Sequence, residues 1–238
     1  MSQSLPSVSA LITSGWEQFK RDWKPNLELS VRFLLSSAIL FGATLVSQGL
    51  PTYGRLAIFV IANAAAAFIN LHTILTLIEL SLRRDQSPSG EGRPSVEIGR
   101  THFWPCLWVV VLQGLAVFGG MVVFFLPGIW LSVLLSYSPL VFIEDGSKGI
   151  QALAASAALI KGRWWATFGR SLLAGIVVGL LSSLTTLTVL LFIGLFTGMD
   201  RIFSYAPKTM LAGIVQALFI PLAVILQVKI YRALKRTR

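Results

Sequence analysis

Trp165–Phe196 reads WATFGRSLLAGIVVGLLSSLTTLTVLLFIGLF, with Arg170 as its sole charge. A helix needs about 20 mainly apolar residues to cross the hydrocarbon of a bilayer. This stretch exceeds that, so as a span it must tilt or kink. The rest of the chain is built the same way. Of 238 residues, 55% are hydrophobic and 13% charged, and the mean hydropathy is +0.74. A soluble domain carries about a quarter charged residues. With so few charges this chain could not cover its own core, and its main solvent is lipid.

Outward from that stretch, five more segments qualify as spans: 27–50, 56–82, 103–126, 129–143 and 209–231. Pro51 to Gly54 and Pro127-Gly128 are turn signals. Asp85–Pro94 and Thr197–Lys208 are polar loops. Three lead-in segments are amphipathic and suited to the interface plane: 6–22, 95–102 and 149–163. In the last of these, Ile150, Leu153, Ala157 and Ile160 are expected on one apolar face. The fold class is therefore all-α: one integral membrane domain over 1–238, a polytopic bundle of about six spans arranged as three hairpins. Each hairpin follows an interfacial helix and a tryptophan, an architectural repeat. The start of the chain lacks the basic, apolar and small-residue pattern of a signal peptide, so the first hydrophobic helix is expected to be a retained span.

Charge sets the orientation. The net charge is +10. Sixteen of the twenty Lys and Arg fall in the N-terminal segment, 83–102, 144–170 and the C-terminal end. Three (Arg55, Arg201, Lys208) fall in the opposite loops, and Arg32 lies just inside the first span. By the positive-inside rule both ends are cytoplasmic. The same bias explains the basic composition through anionic lipid, with no nucleic acid needed as a partner. Trp23, Trp104, Trp108, Trp164 and Trp165 then form the cytoplasmic aromatic belt, and Tyr53, Trp130 and Tyr205 the outer one. Cys106, the single cysteine, makes no internal disulfide and is expected to be a packing residue.

Within 126–170 the sequence carries Leu126-Pro127-Gly128-Ile129, Glu144-Asp145-Gly146, Gln151-Ala152-Leu153, Ser156, Lys161-Gly162 and Trp164-Trp165. This pattern resembles the membrane domain attached to some bacterial glycerophosphodiester phosphodiesterases, and related stand-alone six-span proteins of unassigned function. The resemblance implies a bacterial inner (plasma) membrane. It does not carry over the phosphodiesterase activity. That chemistry belongs to a separate barrel with acidic residues, histidine and a metal, and this sequence has only His72 and His102.

Several residues are candidates for function. His72 and Glu79 share a helix face on the second span, with Asn70 nearby. Ionisable groups in hydrocarbon cost about 2.5–3.5 kcal/mol and default to a functional hypothesis. They could form a polar path, with Gln113 or Gln216 lining it, or simply bond to neighbours, with Glu79 beside Arg83. Glu28 and Arg32 are spaced for an ion pair. Arg32, Lys161 and Arg163 are candidate contacts for lipid head groups. Ser171, Gly175, Gly179 and Ser183 form a small-residue ridge suited to internal helix packing or to a homo-oligomer. Pro139 and Pro221 are expected to kink their spans. Glu144 and Asp145 are expected to form a polar turn at the membrane surface. No nucleophile, base and metal set assembles, so no cofactor is implied. The expectation is a non-enzymatic membrane scaffold or envelope and lipid-homeostasis component; the alternative is a transporter or channel for a small solute or lipid.

Overall fold

In this computed structural model the described residues are 6–86, 96–197 and 205–237, with side chains described at 6–84, 103–196 and 211–237. Among them every regular element is a helix: α1 (Val8–Arg21), α2 (Trp23–Ser47), α3 (Thr52–Gln86), α4 (Val96–Val123), α5 (Phe125–Leu134), α6 (Ser138–Asp145), α7 (Ile150–Ile160), α8 (Trp164–Thr197) and α9 (Tyr205–Arg236). Among the described residues six stretches are long and apolar enough to cross a membrane: Trp23–Ser47, Thr52–Arg84, Phe103–Val123, Phe125–Asp145, Trp164–Phe196 and Leu211–Arg236. The chain is an all-α, multi-pass membrane protein. The two expected polar loops and the His102 side chain fall wholly or partly outside the described residues.

Boundaries shift where proline chemistry and the apolar medium compete. α4 runs unbroken through Pro105, so 96–102 is continuous with span three and not a separate surface helix. In hydrocarbon a broken helix leaves backbone groups without water, which favours continuation. Pro127-Gly128 does not make the hairpin turn. α4 ends at Val123 and α5 starts at Phe125, so the extended Phe124 alone (φ −160°, ψ 143°) reverses the chain. Pro127 sits in the first turn of α5, where its missing N–H has no helical partner to lose. Gly128 is buried at a close helix contact. A Cβ there would lie 2.2 Å from Met121 Cγ and 2.9 Å from Met121 Cα.

Phe125–Asp145 is not one straight helix. α5 ends at Leu134 and α6 begins at Ser138, with Pro139 in its first turn. A continuous helix would drive the proline ring into the Leu135 carbonyl four residues earlier and leave it without an N–H partner. The chain instead turns at 135–137, and Leu135 C=O accepts from the Ser138 N–H (3.1 Å) and the Ser138 hydroxyl (2.8 Å). The expected kink is thus present at Pro139. α6 stops at Gly146, whose positive φ of 67° lets its N–H reach Phe142 C=O at 3.0 Å.

The chain divides into two compact units. The first comprises Met1–Glu17, Leu75–Ala174 and Val224–Arg238; the second comprises Gln18–Ile74 and Gly175–Ala223. In the first, α4 packs on α5, α6 and α7, and α7 also packs on α5 and α6. Gly15 of α1 rests against Leu226 of α9. The face that α7 buries is Ala152, Ser156, Leu159 and Ile160, while Ile150 is 73% exposed. The expected apolar face of 150, 153, 157 and 160 is therefore not the one turned inward: small Ala152 and Ser156 allow the close approach, and Ser156 has polar work to do there. In the second unit, Ser36 Oγ of α2 donates to Asn70 Oδ1 of α3 at 2.7 Å. Gly213 of α9 lies so near α2 that a Cβ would come 3.0 Å from Ser37 Oγ.

Candidate functional site

Among the described residues the densest polar chemistry lies in the first unit, where the acidic end of α6 meets the basic end of α9. Glu144 Oε1 is 2.5 Å from Arg232 Nη1, and both side chains are largely buried, at 13% and 15% exposure. Arg232 Nη2 also donates to Leu82 C=O of α3 at 3.4 Å. Lys235 Nζ lies 3.3 Å from Glu144 Oε2 and 2.7 Å from Asp145 Oδ1. The fork of arginine suits the carboxylate, and Lys235 adds a second cation over the paired acids. Glu144 and Asp145 are therefore more than a polar turn: they latch α6 to the last turns of α9.

Pro6 and Thr237, the first and last described residues, are tied to the start of α8. Arg163 donates to the hydroxyl and carbonyl of Thr237. Arg170 Nε donates to Pro6 C=O at 3.1 Å. Between those arginines, Trp164 stacks on Phe168 with centroids 5.0 Å apart and donates from Nε1 to Trp130 C=O at 3.2 Å. This contact corrects the aromatic belts. Two residues in contact cannot mark opposite surfaces of a hydrocarbon layer about 30 Å thick. Further along, the Tyr137 and Ser171 hydroxyls are 3.1 Å apart, and the Tyr137 ring lies 6.0 Å from that of Tyr231.

The polar-path candidates Asn70, His72 and Glu79 all lie on α3. Glu79 is buried at 9% exposure and held by Arg83 at 2.6 Å, and Asn70 is engaged by Ser36. His72 is half-buried, and Gln216 is exposed. Among the described residues no ion pair joins Glu28 to Arg32; Glu28 is exposed and Arg32 half-buried. Of the head-group candidates, Lys161 is exposed while Arg163 is committed to Thr237. In the ridge, Ser171 is half-buried against Tyr137, but Gly175, Gly179 and Ser183 are exposed, and a Cβ on either glycine would meet nothing within 4 Å. Among the described residues nothing covers those three. Cys106 is fully buried, as a packing residue should be.

Sequence reasoning missed Ser156 as a structural hydroxyl and Arg232 as the partner of Glu144. Arg232 and Glu144 are 88 residues apart, and only a count of acids within reach of the basic tail could have hinted at the pair. Among the described residues no cluster of three or more His, Cys, Asp or Glu could hold a metal ion. Fold and polar end together define a multi-pass helical membrane protein with an ion-paired end. No family model, curated protein or solved structure matches the chain.

Proposed function

We propose that this chain is a non-enzymatic scaffold or lipid-homeostasis component of a bacterial inner membrane, with both ends in the cytoplasm and a basic face toward anionic lipid. The observation that carries this reading is the latch: the paired acids a hydrolytic site would want free, Glu144 and Asp145, are occupied by Arg232 and Lys235. The ties of Arg170 to Pro6 and Arg163 to Thr237 favour ends on one face. The sixteen-to-three distribution of cations favours that face being cytoplasmic. The motif over 126–170 resembles the membrane domain attached to some bacterial glycerophosphodiester phosphodiesterases, and that resemblance is what suggests a bacterial inner membrane. The exposed glycines of α8 give a second copy of the chain somewhere to dock.

The Trp130–Trp164 contact argues for changing one part of the expected six-span topology. Phe124 lies six residues before Trp130, about 9 Å of helix. The contact thus favours a tip on the same face as Trp164 and the C-terminus, so that the α4–α5 hairpin lies along that face without crossing and four of the six candidate stretches cross, an even number that still keeps both ends together. In a Cys106→Ala background, Phe124→Cys and Arg236→Cys should both react with an impermeant maleimide applied to inside-out vesicles. Labelling of Phe124→Cys only in right-side-out vesicles would refute the shared face. Ends labelled from opposite sides would refute the wider reading.

The transport alternative rests on half-buried His72. In liposomes, wild type and His72→Ala should be equally silent for proton and solute flux. Flux present in wild type and lost in the variant would favour transport over the scaffold.

A further inference from the structure

Beside the Trp164–Trp130 contact lies an open cavity of about 480 Å³, lined by Leu126, Pro127, Ile129, Trp130, Trp164 and Trp165. Its volume falls within the range of about 300–1,000 Å³ typical of small-ligand sites. Every wall is an aromatic or aliphatic side chain. Trp164 spends its indole N–H on the Trp130 carbonyl, which fixes the two walls against each other. Trp165 is 78% exposed at the rim. The floor continues into the hairpin tip, where Val122, Val123, Phe124, Phe125 and Leu126 are each about 70% exposed. A contiguous apolar surface of this kind calls for a covering.

The charge beside the groove says what covers it. Lys161 is exposed and lies three residues before Trp164, within about 11 Å along the chain. Gly162, at φ 81°, turns the chain between them. Arg163 is taken by Thr237, which leaves Lys161 as the available cation of this linker. We infer that the groove holds one acyl chain of an anionic phospholipid whose phosphate meets Lys161. A peptide would bring backbone N–H and C=O groups into walls that have little to bond them, at a cost that a hydrocarbon chain avoids. This inference rests on the proposal that the basic end faces anionic lipid, and adds to it a defined site.

Photocrosslinking tests it. p-Benzoylphenylalanine is placed at exposed Trp165 and, as a reference, at exposed Leu180 of α8. The protein is reconstituted in phosphatidylcholine vesicles with a minor share of phosphatidylglycerol. After illumination, adducts on monodisperse protein are identified by mass. Position 165 should capture phosphatidylglycerol at about fivefold its bulk share, the worth of one lysine at an anionic surface. Position 180 should capture lipids in bulk proportion. Lys161→Glu should abolish the enrichment, and Lys148→Glu, at another exposed lysine, should not.

Bulk proportions at 165 would overturn the site, as would adducts mainly to a second copy of the chain. Equal loss in both lysine variants would also overturn it, while leaving the general basic face intact. The wider topology fails separately, in the vesicle labelling.

Discussion

Replacing Arg232 with leucine should destabilise the protein by about 3 kcal/mol in detergent. Removing one partner of a buried ion pair costs about 3–5 kcal/mol, because the other charge stays buried and uncompensated. Glu144 and Arg232 are 13% and 15% exposed, so neither is well served by water. The low end of the range applies because Lys235 remains 3.3 Å from Glu144. The Arg232–Leu82 carbonyl bond is lost as well. Two comparisons isolate the cause. Lys235→Ala should cost under about 1 kcal/mol, since its contact with Asp145 is between side chains 39% and 42% exposed. The double variant Arg232→Leu, Glu144→Leu should regain most of the loss, because a well-packed apolar pair often equals a buried ionic one. Unfolding by added sodium dodecyl sulfate, followed by near-ultraviolet circular dichroism, measures all three. If Arg232→Leu costs no more than Lys235→Ala, the latch is a surface contact, and Glu144 is free for another role.

Composition and period made the spans legible because hydrocarbon imposes a local rule: about 20 apolar residues in a row, wherever they occur. The helices at Trp23–Ser47 and Trp164–Thr197 follow the stretches from which they were expected to within a few residues. Prolines were harder, since the same residue starts a helix, bends one or is absorbed by one. Pro127 starts α5, Pro139 forces the break before α6, and Pro105 and Pro221 lie within helices that continue. What separates them is whether a partner stands ready for the freed backbone groups, and that partner is remote in sequence. Charges behaved likewise. Glu28 and Arg32, favourably spaced on one helix, make no pair, whereas Glu144 found Arg232 on another helix. Local spacing offers a few tenths of a kcal/mol; burial and tertiary contact decide the rest. The small ridge of α8 illustrates the converse. Gly175 and Gly179 announce close packing, yet among the described residues nothing lies within 4 Å of a Cβ built on either.

Ser156→Ala should cost about 2–4 kcal/mol, far beyond the loss of one ordinary hydroxyl. The break before α6 releases two backbone groups that a straight helix would have used. The Leu134 carbonyl loses Ser138 N–H, which turns to Leu135; the Tyr137 N–H loses the Val133 carbonyl, which Ser136 N–H takes at 3.2 Å. Ser156 answers both. Its hydroxyl donates to Leu134 C=O at 2.8 Å and accepts from Tyr137 N–H at 3.3 Å. The site is fully buried, with Ser156 at 0% exposure, so water does not replace it. Each orphaned buried group costs about 1–3 kcal/mol. Pro139 supplies the control, because it is what forbids the straight helix. With Pro139→Ala the Leu135 carbonyl regains an N–H partner, and α5 and α6 become able to join. Ser156→Ala in that background should then cost about 1 kcal/mol or less, a coupling well above the few tenths expected of independent sites. Simple additivity of the two substitutions would mean that Ser156 merely fills space. Strong coupling would mean that one serine on α7 satisfies the backbone at the bend that redirects the chain toward the latch at Glu144.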